Sequence, residues 1–136
     1  DVVAMNNLGW ILCEHLGKYE EAKVLVEQAV KRDGDYGDLL DTCGVVYYRL
    51  GEFEEAISKF EKCIEVYPEG SGSLSASHFH LGRAYAAIGV RSRAAESLEK
   101  ALEMEQESGG LSREEKRQAT ELLREIWGED HVSITE

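Results

Sequence analysis

Small residues recur at matched points three times along this chain, and that recurrence limits the folds open to it. Gly17, Gly51 and Gly89 stand 34 and then 38 residues apart. Each is followed at one spacing by an alanine, Ala22, Ala56 and Ala94, and then by a second small residue, Ala29, Cys63 and Ala101. A further glycine precedes each of the three, at Gly9, Gly44 and Gly82. An internal period of this length marks a tandem array of like supersecondary units, none of which can bury its apolar face alone.

The unit is clearest over residues 39–68. Leu40, Cys43, Tyr47 and Leu50 fall at helical spacing, and Ala56, Ile57, Phe60, Ile64 and Tyr67 do so again. Gly51, between the two runs, can end a helix in a left-handed conformation. Glu52 and Glu54 stand where the next helix's dipole favours negative charge. Pro68 closes the unit, since its ring cannot continue a helix. A glycine in mid-helix costs about 1 kcal/mol against alanine. Three of them in phase, at 9, 44 and 82, predict close helix-to-helix approach.

In these residues the chain resembles the tetratricopeptide repeat (TPR) family. That family's signature is Trp-x2-Leu-Gly-x2-Tyr, then Ala-x3-Phe, then Pro. The middle copy has Leu40, Cys43, Gly44, Tyr47, Ala56, Phe60 and Pro68 at those places. The third has His78, Leu81, Gly82, Tyr85, Ala94 and Leu98, and the first has Met5, Leu8, Gly9, Leu12, Ala22 and Val26. The resemblance covers residues 2–107. It implies an all-α, right-handed helical-hairpin solenoid with hairpins over about 2–35, 36–69 and 74–107. Three departures stand out. The first copy carries one extra residue between its glycines, which predicts a bulge in the first helix or Trp10 in the packing slot of Gly9. Gly34 and Gln106 replace the closing proline. The linker 69–75, EGSGSLS, is four residues longer than the family's and reads as mobile.

Helices are expected over 2–16, 18–32, 38–50, 53–67, 75–88, 91–107 and 112–127. The last opens on a capping box, Ser112 with Glu115. Its one apolar stripe, Ala119, Leu122, Leu123, Ile126 and Trp127, suits a terminal cap on the array. The tail 129–136 has no periodicity and is expected to fray. The 136 residues make one TPR domain. Because the chain opens inside a helical pattern without an initiator Met, a piece of a longer protein is the expectation.

Fifteen basic against 27 acidic residues leave a charge of −12. Phosphate backbones repel such a chain, so nucleic acid is not an expected partner. No apolar run approaches the ~20 residues that span a bilayer, so no membrane is expected either. Cys13, Cys43 and Cys63 show no CxxC spacing. Cys43 and Cys63 read as small reduced core residues, with a disulfide between them as the alternative. The acidic loop 33–38 fails the calcium pattern, which needs an acidic or amide side chain where Gly37 stands and glycine where Asp38 stands. Asp38 instead suits the start of the third helix. His78 and His80 are two apart on a helix and point about 200° apart, so they cannot chelate one metal together. His15 and His131 have no motif around them. No catalytic, cofactor or metal residue is expected, and the chain does not read as an enzyme. A cytoplasmic location is expected, with targeting segments free to lie outside the sequence.

The resemblance further implies that the first helix of each hairpin lines a concave groove, where a partner's peptide or helix lies. Once the packing residues are subtracted, the residues expected there are Asn7 or its neighbour Asn6, Trp10, Glu14, Asp38, Asp41, Val45, Tyr48, Arg49, Phe79 and Arg83. Aromatic and arginine side chains of this kind are common at binding hot spots. Trp10 and Phe79 are divided between groove and core. Some TPR domains clamp a C-terminal carboxylate with Lys, Asn and Arg on these helices. Here the clamp places hold Asn6 or Asn7, Trp10 or Ile11, Thr42, Ala76 and His80, without Lys or Arg, so a chaperone-tail clamp is not expected. The leading expectation is a protein–protein interaction module or scaffold. The alternatives are self-association into homo-oligomers through Leu8, Trp10 and Leu12, and a regulatory domain of a larger enzyme.

Overall fold

Seven α-helices and one π-helical segment make up residues 1–128, the described part of this computed structural model, and no strand occurs among them. The helices are α1 (Val2–Trp10), continued by the π segment Ile11–His15, then α2 (Tyr19–Arg32), α3 (Gly37–Arg49), α4 (Phe53–Val66), α5 (Ser73–Ala87), α6 (Arg91–Ser108) and α7 (Arg113–Trp127). The expected tail 129–136 lies outside the described residues. The chain divides into two compact units, Asp1–Tyr67 and Pro68–Glu136. The division falls at the proline expected to close the middle hairpin.

In the first unit α1 packs on α2, and α3 packs on α4, α2 and α1. The mid-helix glycines make these approaches possible. A β-carbon on Gly9 would lie 2.7 Å from Val26 Cγ1, and one on Gly44 would lie 2.7 Å from Phe60 Cδ1. In the second unit a β-carbon on Gly82 would lie 2.6 Å from Leu98 Cγ. In every copy the glycine therefore faces the residue four beyond the buried Ala22, Ala56 or Ala94. Gly9, not Trp10, takes the packing slot of the first copy.

The extra residue of that copy is absorbed by the π segment. Leu16 N–H donates to Ile11 O at 3.1 Å, one residue further back than an α-helix reaches. The turn then closes from Lys18 N–H to Leu12 O at 2.7 Å, one residue wider than the matching bond from Glu52 to Tyr47 O at 2.9 Å. Gly17, Gly51 and Gly89 all turn with positive φ, at 65°, 79° and 80°. At the start of α3, Gly37 lets the Tyr67 ring lie against the backbone, where a β-carbon would be 2.8 Å from Cε1. Cys63 Sγ donates to Gly37 O at 3.3 Å. Cys13, Cys43 and Cys63 are all buried thiols, so the disulfide alternative does not hold.

The second unit corrects the expected linker. Residues 73–75 form the first turn of α5 and not part of a loose connection. The Ser75 hydroxyl lies 2.7 Å from Gly109 O, its acceptor, and 3.1 Å from Gly72 O. This ties the entry of α5 to the α6–α7 turn. Gly110 has φ 110° and sits so close to the Gly72 carbonyl that a β-carbon would collide with it.

Helix α7 opens on the expected capping box, with Glu115 N–H donating to Ser112 Oγ at 3.1 Å and Ser112 N–H to Glu115 Oε1 at 2.9 Å. Its other end is capped by Arg91, whose guanidinium donates to Ile126 O at 2.6 Å. Phe79, Ala95, Leu98, Ala101, Leu111, Ala119 and Leu123 form the core of this unit. Trp127, expected in the buried stripe of α7, is 47% exposed.

Candidate functional site

The first helices α1 and α3 touch within the first unit and carry most of the side chains expected at a binding face, while Phe79 and Arg83 belong to the second unit. Register is counted from the packed glycines. Asn6 stands three residues before Gly9, as Asp41 does before Gly44 and Phe79 before Gly82. Asn6, and not Asn7, is therefore in phase with Asp41. Asn6 is 8% exposed, and its Oδ1 has no hydrogen-bond partner among the described residues. Asn7 is exposed.

Trp10 follows Gly9 directly and is 36% exposed. Its counterpart in α3, Val45, is 1% exposed. Val45 is thus core and offers no side-chain surface, a correction to the face expected from the sequence. Tyr48 is half-buried, with its ring edge-on to Phe53 at 5.4 Å between centroids. Phe53 opens α4, so the turn at Gly51 orients Tyr48 from beneath.

The charged members of the face are tied down. Arg49 donates from Nε and Nη2 to the two carboxylate oxygens of Glu14, both at 2.9 Å. A fork of this kind fixes direction as well as distance. It joins the π segment to the last turn of α3 and holds the guanidinium pKa above its ordinary value, through the hydrogen bond to Glu14. Arg49 is therefore a strut of the face as well as part of it. Glu14 stood on the expected stripe of the first helix, and the structure pairs it with Arg49, about one repeat further on. Asp38, in the first turn of α3, accepts from Tyr67 OH at 2.5 Å and from Tyr36 OH at 3.3 Å. Burial, followed by the bond to Asp38, pushes the Tyr67 phenol up. Asp41, one turn on, is half-buried.

In the second unit Phe79 is 1% exposed and packs in the α5–α6–α7 core, which resolves its division between groove and core in favour of core. The cause is α7, which packs on α5 as well as on α6. Arg83 lies over the Phe79 ring, its guanidinium carbon 4.8 Å from the centroid. Its Nη2 is 3.3 Å from His80 Nδ1. His78 is half-buried, and burial, with Lys100 nearby, lowers its pKa. Among the described residues no group of three His, Cys, Asp or Glu side chains is placed to hold a metal ion. No described helix is long and apolar enough to cross a membrane. The first unit thus presents one exposed indole, a half-buried phenol and charges held by neighbouring side chains on α1, the π segment and α3.

Comparison with known proteins agrees with this architecture. A family model described as tetratricopeptide repeat matches residues 35–107, and a second of the same description matches residues 2–32. The curated TPR repeat-containing protein PA4667 of Pseudomonas aeruginosa is 30% identical over 69 residues, which are 51% of this chain and 12% of that protein. The chain thus spans about an eighth of that relative's length. Three solved structures are similar in fold. The first TPR of Spaghetti (RPAP3), bound to HSP90 peptide SRMEEVD, superposes with a TM-score of 0.74 at 19% identity, over 92% of each chain. The Sgt2 TPR domain from Aspergillus fumigatus gives 0.77 at 24% identity, over 92% of this chain and 78% of that one. The N-terminal domain of stress-induced protein-1 (STI-1) from C. elegans gives 0.68 at 20%, over 89% and 93%.

Proposed function

This chain belongs to the tetratricopeptide repeat family, and from that premise we propose that it takes a peptide or a helix of a partner protein against the α1–α3 face of its first unit. The observation that carries the reading is the pairing of an exposed Trp10 with a base held rigid by the Glu14–Arg49 fork. An aromatic anchor already in place loses little conformational entropy on binding. Tyr48, braced by Phe53, supplies a second amphipathic ring, and Asp41 supplies orientation. Photo-crosslinking tests the face. A benzophenone side chain at position 10 or 48 should capture the partner, one at position 127 should not, and Trp10→Ala with Tyr48→Ala should lose the partner while helicity is kept. Capture that is equal at all three positions, or indifferent to the double variant, would overturn the reading.

The Spaghetti structure holds the HSP90 peptide SRMEEVD, in which acidic residues outnumber basic ones. We propose that this chain does not. Its clamp places carry Asn6, Trp10, Thr42, Ala76 and His80, none of them Lys or Arg, and the whole chain carries −12. Two acidic partners repel during encounter and lack the paired donors a carboxylate needs. Micromolar binding of SRMEEVD in a calorimetric titration would refute this.

A further inference from the structure

Equal register positions on α1 and α3 lie side by side. Glu14 stands five residues past the packed Gly9 and Arg49 five past Gly44, and the two meet at 2.9 Å. One turn of helix, about 5.4 Å, separates successive rows of this kind. Trp10 and Val45, each one residue past its glycine, form the row before the fork. Asn6 and Asp41, each three residues ahead of its glycine, form the row before that. Thr42, next to Asp41, is 3.8 Å from a β-carbon built on Gly9, so α1 and α3 stay in touch at this level. The face thus sets an amide–carboxylate row one turn from the exposed indole of Trp10.

That row is rich in acceptors. Asn6 is 8% exposed, and its Oδ1 is covered, with no hydrogen-bond partner among the described residues. A buried acceptor left without a donor is costly. The side chain stands on the outer stripe of α1, so a change of rotamer brings the oxygen to a donor carried by a partner. Asp41 adds a half-buried carboxylate. Asp38, one turn before Asp41 on the same stripe, accepts from the phenols of Tyr67 and Tyr36, neutral donors that cancel none of its charge. Together α1, the π segment and α3 carry the acids Glu14, Asp38 and Asp41, and a single Lys or Arg, namely Arg49. The fork already joins Arg49 to Glu14.

Resting on the reading that this face takes a partner, we propose that the segment it takes is basic, with an Arg or Lys side chain seated between Asn6 and Asp41 and its cation against the Trp10 indole. Arginine fits best. One guanidinium donates to an amide oxygen and a carboxylate at once, and its plane stacks on an aromatic ring. Trp10 stands one turn from the acceptors, inside the ~6 Å reach of a cation–π contact. The surplus of acid along these helices attracts such a segment and repels an acidic one.

Panning a phage-displayed library of random peptides on the folded chain tests this chemistry without a known partner. Selected peptides should carry Arg or Lys about tenfold above the input, the factor that one charge-assisted hydrogen bond supplies. Asp41→Lys should turn the preference toward Asp and Glu, and Asn6→Leu should weaken it, both with helicity kept. Should Asp41→Lys cost helicity, Asp41→Asn carries the comparison and should remove the preference. Peptides with no charge bias, or rich in Asp and Glu, would overturn the proposal. So would an Arg and Lys preference that survives substitution of Asp41, since it would then belong to the −12 charge of the whole chain. Trp10→Ala with Tyr48→Ala separates this failure from that of the face. Peptides that lack a basic residue but still need both rings would leave the face standing and its partner chemistry wrong. Peptides indifferent to both rings would sink the face itself.

Discussion

A β-carbon at Gly44 would stand 2.7 Å from Cδ1 of Phe60, a ring that is itself only 1% exposed. A buried ring has little room to give, so the close approach of α3 to α4 depends on the missing side chain. Alanine at this place would gain about 1 kcal/mol of helix propensity. Overpacking would remove about 1–3 kcal/mol. Gly44→Leu, which has far more volume to place, is expected to lower stability by at least the upper end of that range in urea unfolding. A Gly44→Leu chain as stable as wild type would refute the contact.

The Glu14–Arg49 fork spans the π segment and the end of α3 while remaining partly solvated. Such a pair contributes modestly, about 0.2–1 kcal/mol, and is screened by salt. Glu14→Gln is expected to cost an amount in this range at low ionic strength and less in high salt. A double-mutant cycle with Arg49→Gln measures it, and a coupling of zero at low salt would remove the strut from the account.

The buried thiols make an alkaline prediction. Burial raises Cys43 from 9.0 to about 11. Burial, with Glu14 alongside, raises Cys13 to about 12. A raised folded pKa adds stability that is complete below the unfolded value and is lost as pH climbs toward the folded one. The chain should hold its urea midpoint up to about pH 9 and lose it progressively toward pH 11. Burial shifts Tyr47 and Tyr67 in the same direction. Near neutral pH the native thiols should resist iodoacetamide and react after denaturation. Rapid native labelling of Cys43 would contradict its burial.

Helix α7 depends on a reciprocal cap. Ser112→Ala removes the acceptor for Glu115 N–H and is expected to cost about 0.5–2 kcal/mol. The loss should appear first as faster amide exchange at the start of α7. Unchanged exchange there would show that the cap is replaced by solvent at no cost.

Much of this architecture was legible because its causes are local. Gly17, Gly51 and Gly89 turn the chain wherever they occur, since positive φ is open to them without a β-carbon. The capping box of α7 needs only Ser112 and Glu115 three residues apart. The one-residue excess before Gly17 announced a bulge, and a π segment absorbs it. The boundary of α5 was misread, because the Gly/Ser-rich run 69–75 looks like a linker until Ser75 finds the Gly109 carbonyl 34 residues away.

What the sequence alone determined is the set of helices, their turns and the points where two of them come close, because each follows from spacing within a single hairpin. What the tertiary structure alone decided is which outward stripe meets solvent. Val45 and Phe79 occupy groove-like positions on their helices, yet both are buried, Phe79 beneath α7. Leu8 and Ile11 hold the register of the buried Cys43 and Val46, yet are 48% and 44% exposed. Burial of a side chain depends on which other helix reaches its face, and no count along one helix carries that information.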